Sequence, residues 1–335
     1  MLRLALVATL TLSALAPVRA AAPPAKPPPP VVVASIKPLH AIVAAVMKGI
    51  AEPALLLDGA FSPHAFALKP SQMRLLQEAD LVVWVGPGLE APLVRALEAR
   101  DQARPMIQMN ALNGLTRLPL RVGGNFEGHA DEHDDGHDGH AEKAGDGGHD
   151  AHPDVEHAHE PAAMDPHTWL DPRNAIVLAE AVGQRLQALD PARADRVEAN
   201  VRALVAQLQA LETSIRAQMA GLENRPFMVF HDAYQYFEHR FGIAARAAVT
   251  ISAEREPGAK RVGELRALVE REGIRCVFTE PQHRPAVVRV IVTGTRATLG
   301  ALDPVGAAEA AGADFYPKLM RNLANDLAQC LAASR

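Results

Sequence analysis

Eight short apolar runs punctuate this chain, at 31–35, 54–57, 81–85 and 106–109 in one half and at 227–230, 244–249, 276–279 and 298–302 in the other. Stretches with helical spacing separate them: 38–48, 71–78 (with Ser71 as N-cap) and 89–100, then 233–241, 260–272, 285–295 and a closing helix at 315–332. Strand-length runs that alternate with helices pair in parallel, because each helix carries the chain back to the same end of the sheet. Such crossovers are right-handed. The pattern predicts an α/β protein of two lobes, each a four-stranded, mainly parallel sheet wrapped by helices. A chain of 335 residues is long enough to bury a core in each.

Two helices are expected between the halves. The first, 172–189, starts behind Asp171, a good N-cap, with Pro172 at the first helical position. Asp190-Pro191 repeats that start signal. From there to 222 the apolar positions Val197, Val201, Leu204, Val205, Leu208, Leu211 and Ile215 keep helical spacing. No proline interrupts them, and the one glycine, Gly221, is near the end. Such a helix would be roughly 45 Å long and a rigid link. The domain limits that follow are 31–190 for the first lobe, 191–222 for the linking helix and 223–335 for the second lobe.

At the N-terminus, Arg3 precedes an apolar run at 4–16, and Val18-Arg19-Ala20 offers small residues for cleavage. Segment 1–20 reads as a secretory signal peptide, too short to span a membrane stably. No cysteine lies near the cleavage point, so no lipid anchor is expected. A stiff, proline-rich leader occupies 21–30. Loss of Arg3 and Arg19 takes the net charge from −5 to −7. That balance argues against nucleic acid and against an anionic membrane surface. Cys276 and Cys330 are the only cysteines. In a secreted chain they predict one disulfide, with two buried thiols as the alternative.

Segment 128–161 has a different chemistry. His129, His133, His137, His140, His149, His152, His157 and His159 sit there among eleven Asp/Glu and one lysine. No apolar periodicity runs through it, so it cannot bury a core and should be a disordered loop in the first lobe. Neutral imidazoles beside carboxylates suit borderline divalent metals, with Zn²⁺ first. A tract this loose cannot impose one geometry, so it is expected to supply weak accessory metal sites. An acidic spacer with incidental histidines is the plain alternative.

In open α/β sheets, ligands bind beyond the carboxyl ends of the strands. His64 follows the second run, His231 directly follows 227–230, Glu280 follows 276–279 and Asp303 follows 298–302. His167 lies in Asp165-Pro166-His167-Thr168-Trp169-Leu170, just before the helix at 172. Candidates from both lobes therefore point at one cleft. Taken singly, each is as easily a residue satisfied by the backbone, and the spacings of 64, 167 and 231 match no local metal motif. Their coincidence with the topology makes the case.

An ordered series of segments strengthens it. It comprises Ala34-Ser35-Ile36-Lys37-Pro38, Gly59-Ala60 through His64 to Lys69-Pro70-Ser71, and Ala79-Asp80-Leu81-Val82-Val83-Trp84-Val85-Gly86-Pro87. It continues in His167-Thr168-Trp169-Leu170-Asp171-Pro172, Phe230-His231-Asp232-Ala233-Tyr234, Val277-Phe278-Thr279-Glu280-Pro281-Gln282 and Leu302-Asp303-Pro304. From about 31 to 331 the chain resembles the ZnuA-like metal-binding receptors, the zinc-binding periplasmic components of ABC uptake transporters. The resemblance implies two α/β lobes joined by one long helix, with a His/Asp-rich insertion in the first lobe. It implies that His64, His167 and His231 hold the metal and that the two cysteines form the family's disulfide.

One departure bears on the site. Pro63 stands where some zinc receptors carry a glutamate that also ligates. The fourth position then falls to Asp303 or to water. Glu280 is expected to orient a ligand by hydrogen bonding. His40 is expected behind the ligands or in solvent, and His239 and His283 at the surface. The implied function is that of a periplasmic, high-affinity receptor, not an enzyme, which acts as a monomer. It would bind Zn²⁺ and hand it to the membrane permease of an ABC importer, with no role in nucleic-acid binding. The alternatives are an Mn²⁺ or Fe²⁺ receptor of the same family and, from another class, a secreted zinc hydrolase. In the hydrolase a zinc-bound water would do the chemistry, with Asp303 or Glu280 as its base; no H-E-x-x-H helix occurs.

Overall fold

The structure is a computed structural model and describes residues 27–58, 62–121, 123–126, 163–250, 257–283 and 286–333. The expected signal peptide, most of the proline-rich leader and the histidine-rich stretch 128–161 lie outside the described residues. The first lobe runs β1 (Val32–Ala34), α1 (Lys37–Val46), β2 (Ala54–Leu55), α2 (Pro70–Glu78), β3 (Leu81–Trp84), α3 (Val94–Glu98) and β4 (Met106–Gln108). Helices α4 (Pro172–Leu189) and α5 (Ala194–Met219) follow. The second lobe runs β5 (Phe227–His231), α6 (Gln235–Phe241), β6 (Ala247–Thr250), α7 (Ala259–Arg271), β7 (Cys276–Thr279), α8 (Ala286–Val292), β8 (Thr298–Ala301) and α9 (Phe315–Ala333).

Each lobe has one four-stranded sheet, in the orders β2-β1-β3-β4 and β6-β5-β7-β8. Every pairing is parallel, as in the registers Val33↔Val82, Val83↔Ile107, Met228↔Ala247 and Phe227↔Cys276. The two halves therefore share one strand order, with the first strand of each half placed second.

The central apolar runs are continuous because both faces of the sheets are covered there; all residues of β1, β3 and β5 are buried, whereas the edge strand β8 is mostly exposed. Alternate side chains still go to different cores. Val33, Val82 and Trp84 enter an outer core of the first lobe, and Met228, Phe230 and Val277 an outer core of the second. Val32, Ala34, Leu81, Val83, Phe227, Val229 and Phe278 instead enter one core common to both lobes. Leu39 of α1, Leu178 of α4, Leu208 of α5 and Leu323 of α9 join it. The lobes are thus packed on a shared interior as well as being joined in sequence.

Helix boundaries follow local chemistry. Asp171 caps α4 as expected, its carboxylate accepting from Arg173 N–H at 2.8 Å. The helix at 71–78 begins one residue earlier than expected, so Ser71 is not its cap. Pro70 takes the first position, and the Gln72 side chain accepts from the Lys69 N–H at 2.8 Å. The expected helix 89–100 is split, a 3-10 turn at Ala91–Leu93 preceding α3. The long link is a 3-10 turn at Pro191–Arg193 followed by α5, whose 26 residues span about 39 Å. Cys276 of β7 and Cys330 of α9 form a disulfide with a Cα–Cα distance of 6.1 Å. Among the described residues no helix is long and apolar enough to cross a membrane.

Polar contacts reinforce the junction. Arg121 pairs with Asp232 and Glu238, and Arg240 with Asp171. Lys37 Nζ donates to the Ala307 and Glu309 carbonyls, both at 2.9 Å.

Candidate metal centre

His231 ends β5, and Glu280 follows the last residue of the neighbouring strand β7. Adjacent parallel strands end side by side, so topology alone brings these two residues together. His231 Nδ1 lies 2.7 and 2.8 Å from the two Glu280 carboxylate oxygens. Glu280 also accepts from the Tyr234 hydroxyl at 3.1 Å. His167 comes from the turn before α4. Asp165, two residues earlier, accepts from its backbone N–H at 2.9 Å and meets its Nδ1 at 2.7 Å, an Asx-type turn that fixes backbone and ring together. His64 comes from the loop between β2 and α2, where its N–H donates to Ser62 Oγ at 3.3 Å.

The three rings meet at their Nε2 atoms. His64 Nε2 lies 3.3 Å from His167 Nε2, and His231 Nε2 lies 3.4 Å from the same atom. One ligand atom from each residue lies within 4.8 Å of the others. A histidine that gives Nδ1–H to a carboxylate carries its lone pair on Nε2. His167 and His231 therefore turn lone pairs toward one another. That arrangement is costly unless a cation or proton lies among them. Both rings are buried and His64 is partly exposed.

The surrounding groups are tightly held. Burial pushes the Asp165 carboxyl up to about 7, against the opposing pull of the His167 N–H and the Arg121 charge. Burial, then the Glu280 charge, raises the Tyr234 hydroxyl well above its ordinary value. Tyr236 donates its hydroxyl to the Asp165 carbonyl at 2.9 Å and accepts from the Leu118 N–H at 3.1 Å. Trp169, two residues after His167, donates Nε1–H across the cleft to the Pro304 carbonyl at 2.8 Å.

The structure thus brings His64, His167 and His231 together, with the Glu280 carboxylate against His231 Nδ1. It does not bring Asp303 into that group. The Asp303 carboxylate accepts from Gln282 Nε2 at 2.7 Å and from the N–H groups of Val305, Gly306 and Ala307 at 3.2, 2.8 and 2.6 Å. These four donors commit it to shaping its own loop. His40 is buried, bonded through Nε2 to the Pro53 carbonyl at 3.0 Å, and burial lowers its pKa. His239 is exposed. His283, expected at the surface, instead lines the pocket of the three imidazoles. Sequence reasoning also missed the supporting roles of Asp165, Tyr234 and Tyr236. The signal for Asp165 was available, since an aspartate two residues before a candidate ligand is the Asx-turn spacing. The accessory histidines at 129–159 lie outside the described residues.

Two parallel α/β lobes whose strand ends gather imidazoles in a shared cleft define a two-lobed binding protein with a candidate metal centre. The sequence matches, over residues 32–330, the profile of the family described as ZnuA, zinc-uptake complex component A periplasmic. It is 41% identical over 306 residues to the high-affinity zinc uptake system protein ZnuA of Brucella suis biovar 1 (strain 1330), covering 90% of this chain and 91% of that one. The protein of the same name from Yersinia pestis is 36% identical over 304 residues, covering 89% and 90%. A crystal structure of ZnuA superposes with a TM-score of 0.71 at 23% identity, over 90% of this chain and 99% of that one. The chain belongs to the ZnuA family.

Proposed function

We propose that this chain is a periplasmic receptor that captures Zn²⁺ between its lobes and delivers it to the membrane permease of an ABC importer. The observation that carries the reading is the convergence of the three Nε2 atoms, with separations of 3.3 and 3.4 Å. Two nitrogens that share a tetrahedral Zn²⁺ at about 2.0–2.1 Å lie about 3.3–3.4 Å apart. The direction of transport is taken from the relatives, which are named as high-affinity zinc uptake system proteins, and the permease from the family resemblance.

Water is the fourth ligand in this reading. Pro63 has no side-chain donor, and Asp303 already serves four donors in its loop. Three imidazoles and one water favour Zn²⁺ over the harder Mn²⁺. Asp165 and Glu280 make His167 and His231 more basic and fix their rings. Because each carboxylate is engaged by a ligand's Nδ1, neither is placed as a general base for a metal-bound water, which favours binding over hydrolysis. The histidine-rich stretch 128–161 collects zinc with lower affinity and passes it to the cleft.

His167→Ala tests the reading. Loss of an outer hydrogen-bond partner costs about 10–100-fold in metal affinity, and loss of this ligand should cost more without unfolding the chain. Zinc affinity is measured by competition with a chelator strong enough to strip the weaker sites. Wild-type affinity in the variant, or Mn²⁺ displacing Zn²⁺ from the wild type at equal concentration, would overturn the assignment.

A further inference from the structure

His167 and His231 reach the metal centre from different lobes, so their separation depends on what joins the lobes at this point. In the first lobe, residues 118–120 run antiparallel to residues 163–165. Leu120 N–H donates to the Ala163 carbonyl at 2.8 Å and Asp165 N–H to the Leu118 carbonyl at 3.0 Å, around a bridge between Pro119 and Met164. This ribbon ends two residues before His167. In the second lobe, Asp232 directly follows His231, and Glu238 lies on α6. Arg121, the next residue after the first strand of the ribbon, spans the gap. Its Nε donates to both Asp232 oxygens, at 3.0 and 2.9 Å, and its Nη1 to Glu238 Oε2 at 2.7 Å. Nη2 contacts both carboxylates as well. The guanidinium lies over the Phe126 ring, 4.0 Å from its centroid. The partly buried Asp232 and the buried Glu238 thus share one cation, without which two like charges would face each other.

We propose that Arg121 is a positioning residue of the metal centre, which locks the ribbon before His167 to the turn after His231 and so sets the size of ion that the three imidazoles accept. This role rests on the reading of those imidazoles as a zinc site. With Arg121 in place, His231 Nε2 and His167 Nε2 stand 3.4 Å apart, a spacing suited to the short bonds of tetrahedral Zn²⁺. A larger ion, or one with more ligands, needs the imidazoles farther apart, and the clamp resists that. A planar guanidinium holds two carboxylates at fixed angles, whereas an ammonium acts as a point charge. The Tyr236 hydroxyl and the Gln235 amide also bond the ribbon. Those groups are neutral, and charge-assisted bonds are roughly twice as strong. A ligand set keeps its geometry to within about half an ångström only when such supports are rigid.

Arg121→Gln tests this on the full chain, because glutamine removes both the charge and the fork. Zn²⁺ and Cd²⁺, a larger ion of the same charge, are each titrated in competition with a chelator. Co²⁺ is bound for its visible spectrum, which is intense for a tetrahedral site and weak for a six-coordinate one. Zinc affinity should fall by about tenfold, the scale on which outer supports act. Cadmium affinity should fall by less, and the Co²⁺ band should weaken as water enters the loosened site. Arg121→Lys keeps the charge without the fork, and should recover stability against urea but not the preference for zinc over cadmium. Asp232→Asn opens the same clamp from the second lobe and should repeat the loss if Arg121→Gln fails to fold. A wild-type zinc-to-cadmium ratio and Co²⁺ spectrum in these variants, with only stability changed, would overturn the positioning role and leave the zinc site standing. A wild type that lacks tight zinc binding would remove the functional reading and this role together.

Discussion

At the residue scale, buried carboxyls serve this protein in different ways. Asp165 and Glu280 each face an imidazole, whereas Glu90 faces backbone donors and the Ser35 hydroxyl. Glu90 Oε2 accepts from the Val85 and Gly86 N–H groups at 2.7 and 3.2 Å, and the Ser35 hydroxyl stands beside the carboxyl and favours its ionised form. Burial pushes this carboxyl up from 4.5 to about 7. A folded value above the unfolded one means that the fold favours the protonated form. The contribution is fully present below the unfolded value and is lost as pH rises through about 7. The loss amounts to about 3 kcal/mol at most. Glu90→Gln keeps a carbonyl for the two N–H groups and removes the titration. Its stability relative to wild type should therefore improve by about 2–3 kcal/mol between pH 4.5 and pH 8, read by urea denaturation. A difference independent of pH would show that the carboxyl ionises at its ordinary value.

At the element scale, the contact between α4 and α5 turns on one glycine. A Cβ built on Gly183 would lie 2.6 Å from Val201 Cγ2. Val201 is β-branched and stiff about χ1, so relief has to come from separation of the two helices. Two effects oppose each other in Gly183→Ala. Helix propensity gains about 1 kcal/mol, whereas overpacking in a well-filled interior costs about 1–3 kcal/mol. Packing should prevail, with a net loss of about 1 kcal/mol and a lower denaturation midpoint. A stabilised variant would mean that the helices slide apart freely. Nothing in the sequence marks Gly183 as special, because a glycine in a helical pattern shows no neighbour. By contrast, Asp171-Pro172 states its cap in the sequence and the structure keeps it. Ser71 was displaced from its expected role because Pro70 fits the first helical position better.

At the scale of the molecule, the central strands β1, β3, β5 and β7 were legible because parallel sheets covered on both faces need continuous apolar runs, which no loop supplies; the edge strand β8 is mostly exposed. The placing of His64 and His231 was legible for a related reason: open sheets bind beyond their carboxyl ends, and the residues that follow β2 and β5 are fixed by chain order; His167, in the turn before α4, follows no strand. What stayed hidden depends on packing between distant segments. That Asp303, offered beside water as the fourth ligand, would accept from the amides of its own loop was not legible. His283 looked solvated until Phe230, on the next strand, came up beneath its ring. The helical pattern also could not say which sheet a helix covers, so the common core of α1, α4, α5 and α9 was unforeseen. That core has a thermodynamic consequence. Two lobes with separate interiors would unfold separately, but two lobes that share buried side chains should unfold together. The aromatic residues allow a test, since Trp84 and Trp169 precede the linking helix and Tyr234, Tyr236 and Tyr316 follow it. Tryptophan fluorescence and near-UV tyrosine signals should give coincident melting curves for the metal-free chain. Zinc held by ligands from both lobes should shift the two curves by the same amount, with about 2.7 kcal/mol of added stability at a free concentration a hundred times Kd. Curves that separate, or a zinc shift confined to one probe, would mean that the lobes are energetically independent and that the metal rests on one of them.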